Sequence, residues 1–281
     1  MIIDKHLARK VIAPRLTNTH KGTFGRVLLI GGNSPYGGAI IMTAIACVNS
    51  GAGLVMVATH KDNITALHSH LPEAMAFDMS ERKLLLEQCL SADVILIGPG
   101  LTEDALAEST LDIVLENVSE KQSLIIDGSA LNLVAQKNQI YWKTDRLILT
   151  PHQKEWERLS GLPIQKQTQE DTQVALCKFP KMTILVAKSH HTKVYKQDGQ
   201  VGELAVGGPY QATGGMGDTL AGMIAGFVAQ FKSDLFESVA VATYLHSYIA
   251  DQLAKDAYVV LPTKISEEIS RVMKEISKIN S

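Results

Sequence analysis

The chain has 281 residues, 46% of them hydrophobic and 20% charged, enough to bury a core and best read as one large domain, 1–281. A net charge of -2 and a pI near 6.5 leave no electrostatic footprint for nucleic acid or an anionic membrane, and no run of five like charges occurs. Any anionic ligand must therefore be held by a local site.

The N-terminus, "MIIDKHLARKVIAP", mixes charges with apolar residues and lacks a signal-peptide core. Next come an apolar strand, "RVLLIGG" (Arg26 to Gly32), a helix over Gly38 to Ser50 and a strand, "LVMVAT" (Leu54 to Thr59). The uncharged stretch from Ala39 to Thr59 has the length of a membrane span, but "NSGAG" divides it, so a buried helix, turn and strand are expected and no membrane association. His68 and His70 in "HSH" are expected as solvated loop histidines, as are His190 and His191 in "SHH", because no third metal ligand lies near either pair.

Further strands follow at "DVILIG" (Asp93 to Gly98), "SLIID" (Ser123 to Asp127), "RLILT" (Arg146 to Thr150) and "MTILVAK" (Met182 to Lys188). Between them lie helical segments Glu103 to Asn117, Ala130 to Lys137, Gln153 to Ser160 and Thr168 to Phe179. Short, nearly continuous apolar strands alternating with amphipathic helices predict right-handed βαβ units around a parallel sheet buried on both faces. After Lys188, "TKVYKQDGQVGELAVGG" predicts a hairpin around "QDGQ", and three helical segments complete the chain. Gly222 and Gly226 spell G-x-x-x-G, expected here as close helix packing in a core. Cys47, Cys89 and Cys177 are scattered without C-x-x-C spacing, which argues against disulfides or zinc and for a reducing cytoplasm.

The chain carries no Walker-type G-x-x-x-x-G-K-[ST], G-x-G-x-x-G after the first strand, H-E-x-x-H or G-x-S-x-G. What stands out is a series of loops at strand ends: "GGNSPYGGA", "GPGLT", "DGSALN", "TPHQKEW", "KSHHT" and "ATGGMGD". Open α/β sheets bind ligands at this edge. Gly214, Gly215 and Gly217 open a helix, where unpaired N–H groups and the dipole form an anion cradle that a side chain would obstruct. Asp218, at the same end, is either a helix cap or a base that takes a proton from a hydroxyl attacking a phosphoryl group. Capping would account for the aspartate but not for three glycines.

"ATGGMGDTLAG" resembles the anion hole and catalytic aspartate of ribokinase-like small-molecule kinases. With "KGTFGRVLLIGGNSPYGGA", "SGAGLVMVAT", "GPGL", "IIDGSALNL", "LTPHQKEWERL" and "AKSHHT" in order, nearly the whole chain resembles the NAD(P)H-hydrate dehydratases of that superfamily. The resemblance implies a ribokinase-like three-layer α/β/α sandwich with a mostly parallel central sheet. It also implies repair of the S-form of hydrated NADH or NADPH: ADP, favoured over ATP, phosphorylates the ring hydroxyl and phosphate is eliminated. Asp218 is then the catalytic base. Lys188, Ser189, His190, His191, Thr192 and Gly217 would contact the nucleotide, and Ala39, Gly100, His152 and Asp218 the hydrated nicotinamide. Magnesium is implied as cofactor without assignable ligands, as are a homo-oligomer, a tetramer favoured, and a separate epimerase in the same pathway.

Ser129 replaces a second aspartate usual in the resembling family, with Asp127 kept; Ser189 replaces a glycine; and Gln153 with Lys154 stand where Pro-Gly is usual after the histidine. Asn132 and Glu155 are polar candidates without an assigned role. Two alternatives stay open: a ribokinase-like kinase of a vitamin-precursor alcohol, and a nucleotide-binding sensor without turnover.

Overall fold

In the strand β2 (Arg26–Ile30), Val27 and Leu29 join one apolar cluster while Leu28 and Ile30 join another, the alternation of a strand covered on both faces. The structure, a computed structural model, describes residues 1–277. The first half of the chain adds β1 (Ile2–Ile3), α1 (Lys5–Val11), α2 (Gly37–Asn49), β3 (Leu54–Thr59), α3 (Asp62–His70), β4 (Met75–Asp78), α4 (Arg82–Ser91), β5 (Val94–Ile97) and α5 (Ala105–Asn117). The central part adds β6 (Ser123–Ile126), α6 (Ser129–Gln136), β7 (Leu147–Leu149), α7 (Gln153–Ser160), α8 (Gln169–Leu176) and β8 (Ile184–Ala187). It ends with β9 (Lys193–Lys196), β10 (Val201–Leu204), α9 (Met216–Gln230), α10 (Leu235–Leu253) and α11 (Pro262–Ser277).

These strands form a ten-stranded sheet in the order β1-β10-β9-β8-β7-β6-β5-β2-β3-β4. Six neighbouring pairs from β4 across to β8 are parallel, and only β9 is antiparallel to its neighbours. Leu7, Ile40, Phe227, Phe236 and Ile269 bring α1, α2, α9, α10 and α11 to one face. Leu85, Leu111, Leu131, Trp156 and Leu176 bring α4, α5, α6, α7 and α8 to the other. The expected three layers are therefore present. The chain moves outward from β2 to β3 and β4 and then returns to β5 on the other side of β2, a topological switch point at the edge where the loops gather.

The expected hairpin forms with a three-residue turn: Lys196 N donates to Gln200 O at 2.8 Å, and Gly199 takes φ +100. Three expectations need correction. His68 and His70 are exposed but lie in the last turn of α3, not in a loop. Elements β1, α1, α3, β4 and α4 appear where no strand or helix was assigned. Helix α8 begins after its cap, Thr168, and ends at Leu176 rather than Phe179. Among the described residues no helix is long and apolar enough to cross a membrane.

The G-x-x-x-G of α9 does pack helices closely. A Cβ on Gly222 would lie 2.2 Å from Thr43 O of α2, and one on Gly226 would lie 2.8 Å from Cys47 O. Gly222→Ala gains up to about 1 kcal/mol of helix propensity but forces a backbone carbonyl aside, an overpacking cost of roughly 1–3 kcal/mol. The steric term is expected to win, lowering Tm by a few degrees in a thermal melt followed by circular dichroism. An unchanged or raised Tm would show that the two helices can separate freely.

Candidate active site

Parallel strands place their carboxyl ends on one edge, so the loops after β2, β5, β6, β7 and β8 meet there. Gly32 N donates to Pro99 O at 2.9 Å and Asn33 N to Gly100 O at 2.8 Å, closing the switch point. Gly100 has φ +64, and a Cβ on it would lie 2.6 Å from Tyr36 O and 3.0 Å from the Ala39 Cβ. Ala39 and Gly100 are thus neighbours, and their small size meets a packing demand of the crevice itself. On α2, Thr43 Oγ1 lies 2.9 Å from Ala39 O and 3.1 Å from Asp218 O, tying that crevice to the start of α9.

Helix α9 opens as a strand-end loop in its own right. Its cap is Gly215 at φ +93, with no capping side-chain hydrogen bond, so Asp218 is not the helix cap. A Cβ on Gly215 would sit 2.5 Å from the Met42 sulfur, whereas the space beside Gly214 is open. The Lys188 ammonium faces Gly217, 3.3 Å from where a Cβ would stand. Backbone N–H groups of the first turn and one lysine therefore converge on the same point.

Lys188 is not the solvated strand-end lysine that its position suggests. Its Nζ lies 2.8 Å from Asp127 Oδ1, with 21% of the lysine side chain and 3% of the aspartate side chain exposed. Thr150 Oγ1 donates to the same Asp127 oxygen at 2.6 Å. Glu155 is buried in the first turn of α7; its Oε2 accepts from His152 N at 2.8 Å, while His152 Nδ1 accepts from Lys154 N and Glu155 N. His152 thus forms a capping box, as its place before a helix suggests. It also bridges Lys188 in parallel register.

Three carboxylates and one ammonium share this centre. Burial, then the negative charge of Asp127 and Glu155, raises the Asp218 carboxyl to about 6 against the opposing pull of Lys188. Burial likewise pushes Glu155 upward, with Lys188 opposing. Burial alone would lower the Lys188 ammonium, but Asp127, Glu155 and Asp218 outweigh it and hold the lysine charged. A base poised near 6 beside a fixed cation and a helix N-terminus suits proton abstraction from a hydroxyl attacking phosphorus.

The segment after Lys188 is a tight turn. Thr192 Oγ1 donates to Ser189 O at 3.0 Å, and His191 N donates to Ser189 Oγ at 3.1 Å. His190 and His191 are exposed, with ring centroids 4.4 Å apart. A cavity of about 290 Å³ opens beside this turn, lined in part by His152, Lys188, Ser189, His191 and Lys193. Asn132 is committed elsewhere, donating to Glu103 at 2.8 Å and accepting from Arg158 at 3.0 Å. Asp127 and Glu155 are the members of the centre that carried no assigned role. For Glu155 the available signal was the H-x-x-E spacing after β7, which equally describes a plain capping box.

Comparison with known proteins follows the same outline. The family model described as NAD(P)H-hydrate dehydratase matches residues 27–271. An ADP-dependent (S)-NAD(P)H-hydrate dehydratase from Streptococcus thermophilus is 62% identical over 99% of this chain and 100% of its own length. A ribokinase-like superfamily protein from Enterococcus faecalis superposes with a TM-score of 0.95 at 48% identity, covering 99% of this chain and 96% of that one. The ADP/ATP-dependent NAD(P)H-hydrate dehydratase from Bacillus subtilis, co-crystallised with ATP and Mg2+, gives a TM-score of 0.86 at 26% identity, covering 98% of each chain.

Proposed function

We propose, since this chain belongs to the NAD(P)H-hydrate dehydratase family, that it restores NADH and NADPH from their S-hydrates at the expense of ADP. The observation that carries the reading is the meeting of Asp218, Lys188 and the open first turn of α9. Asp218 takes the proton from the ring hydroxyl as its oxygen attacks the terminal phosphorus of ADP. The bond to AMP breaks and the N–H groups contributed by Gly214, Gly215 and Gly217 receive the developing charge. The ring nitrogen's electron pair then expels phosphate, and loss of a proton from the adjacent carbon restores the double bond. Hydroxide would be a poor leaving group; phosphate is a good one.

In this reading Ala39, Gly100 and His152 line the hydrated nicotinamide, while Lys188, Ser189, His190, His191, Thr192 and Gly217 hold the nucleotide. Magnesium, when bound, neutralises the phosphate oxygens. Three carboxylates against one ammonium leave an acidic excess that fits a divalent cation, and Asp127 and Glu155 would hold it. Among the described residues no three His, Cys, Asp or Glu form a cage. Magnesium typically uses only one or two carboxylates beside phosphates and water.

The same proposal includes a cytoplasmic location, consistent with free Cys47, Cys89 and Cys177, a separate epimerase for the other epimer, and a homo-oligomer, a tetramer by resemblance. Helix α10 spends its apolar residues on the core, whereas Ile41, Met42, Ile45 and Val48 of α2 line a groove of about 710 Å³. That groove supports α2 as the element at a subunit contact.

The test is a product balance with purified hydrate: one AMP and one phosphate per NADH restored. A stable phosphate ester without NADH would overturn the reading. A second expectation concerns pH. Because a base works only when ionised and Asp218 titrates at about 6, kcat/KM should fall roughly tenfold per pH unit well below 6 and level off above it. A flat profile from pH 5 to 8 would remove Asp218 from that role.

A further inference from the structure

The segment that leads into the glycine cradle is exposed at Ala205, Gly207 and Pro209, yet it is fixed to α10 at separate points. Asp251 Oδ1 accepts from Gly207 N at 2.8 Å and also from the Tyr210 hydroxyl. Gln211 Oε1 accepts from Gly208 N at 3.2 Å, and its Nε2 lies 3.5 Å from Nδ1 of the buried His246. Val260 N donates to Tyr210 O at 3.0 Å from the far side. Gly207 holds φ +104, a conformation reserved for glycine, and a Cβ there would meet Gln211 Oε1 at 2.8 Å. None of these groups belongs to the proton-transfer centre around Asp218. All of them act on residues 207–211, directly before the cradle at 214–217.

We propose that Asp251 and Tyr210 are positioning residues for nucleotide binding. The carboxylate gathers one backbone N–H and one phenol of the same loop onto α10, so the first-turn N–H groups of α9 already stand where the phosphates arrive. This rests on the nucleotide reading above and extends it to which side chains hold the cradle ready. A loop freed from its clamp has to be reordered when nucleotide binds, and the apparent affinity falls by the fraction of time the competent arrangement is populated. Once ADP is bound the arrangement is restored, so the chemical step proceeds much as before.

The experiment uses the full chain and ADP with Mg2+ as the probe, in calorimetry without hydrate and in steady-state kinetics with hydrated NADH. Asp251→Ala is expected to raise both the Kd and the KM of ADP about tenfold, with kcat at saturating ADP lowered less than threefold. The KM for hydrate should stay within twofold on the order expected for an untouched subsite. Asp251→Asn keeps an Oδ1 acceptor and should recover most of the ADP affinity, while Tyr210→Phe should weaken ADP by roughly threefold. If Asp251→Ala does not fold, Tyr210→Phe and Asp251→Asn carry the test. Unchanged ADP affinity in folded Asp251→Ala or Tyr210→Phe, a loss in Asp251→Asn as large as in Asp251→Ala, or a loss in kcat with KM unaltered, would overturn the proposal. Failure of the unaltered protein to bind ADP at all would instead overturn the nucleotide reading on which it rests.

Discussion

Asp218→Asn is expected to lower kcat about a thousandfold while leaving the KM of ADP within a few fold, since a positioned base contributes 10²- to 10⁴-fold. Asparagine keeps the shape of the side chain and cannot accept the hydroxyl proton. The cradle at Gly214, Gly215 and Gly217 and the Lys188 ammonium remain, so the variant should still bind nucleotide and retain the residual rate that positioning and electrostatics supply. A second signature separates base from structural support. Asp218 provides no cap for α9, whose cap is Gly215, so the substitution should cost the fold little. A variant that loses activity only because it unfolds would contradict this assignment; a folded variant with nearly full kcat would end it.

Lys188→Met is expected to have the next largest effect, and on two measurements at once. Removing the ammonium leaves Asp127, with 3% of its side chain exposed, without its cation at 2.8 Å. Breaking a buried pair from one side typically costs 3–5 kcal/mol, and the 21% exposure of the Lys188 side chain places this case at the lower end, about 3 kcal/mol. Denaturant unfolding should show that loss, and adding Asp127→Asn should recover part of it, because the stranded charge is then gone. The second measurement is kinetic. Lys188 opposes the upward shift of Asp218, so without it the acid limb of the kcat/KM profile should move above 6. Loss of a fixed donor to the phosphoryl group should also cost 10²- to 10³-fold in kcat/KM. An unshifted acid limb with unaltered stability would mean that Lys188 is not coupled to these carboxylates.

Much of this arrangement could be read from sequence, and the part that could not has definite causes. Strands β2, β3, β5, β6, β7 and β8 announce themselves because both faces are buried, which demands unbroken apolar runs. The edge strand β4, "MAFD", has four residues and a single buried one, Phe77, so no comparable run marks it. Helix α3 escaped for a similar reason: Leu67 alone is buried among nine residues. The opening of α9 on Gly214, Gly215 and Gly217 was legible because glycines before an apolar helical run mark its start. The pairing of Lys188 with Asp127 was not, because the two are separated by 61 residues and by an intervening strand, β7. Glu155 was hidden by its own capping box with His152, since a first-turn glutamate has an ordinary structural use. Asp251 and Tyr210, one on α10 and the other in the loop before α9, carry no local pattern that would connect them.

The reading stands or falls on whether the centre around Asp218 restores NADH. Purified hydrated NADH, ADP and magnesium in one cuvette, with the unaltered protein beside Asp218→Asn, test this directly. The expected result is recovery of the NADH absorbance by the unaltered protein, stopping when ADP runs out, and almost none with the variant. A folded protein that binds ADP but restores no absorbance, or one whose Asp218→Asn variant restores it at the full rate, would contradict the account.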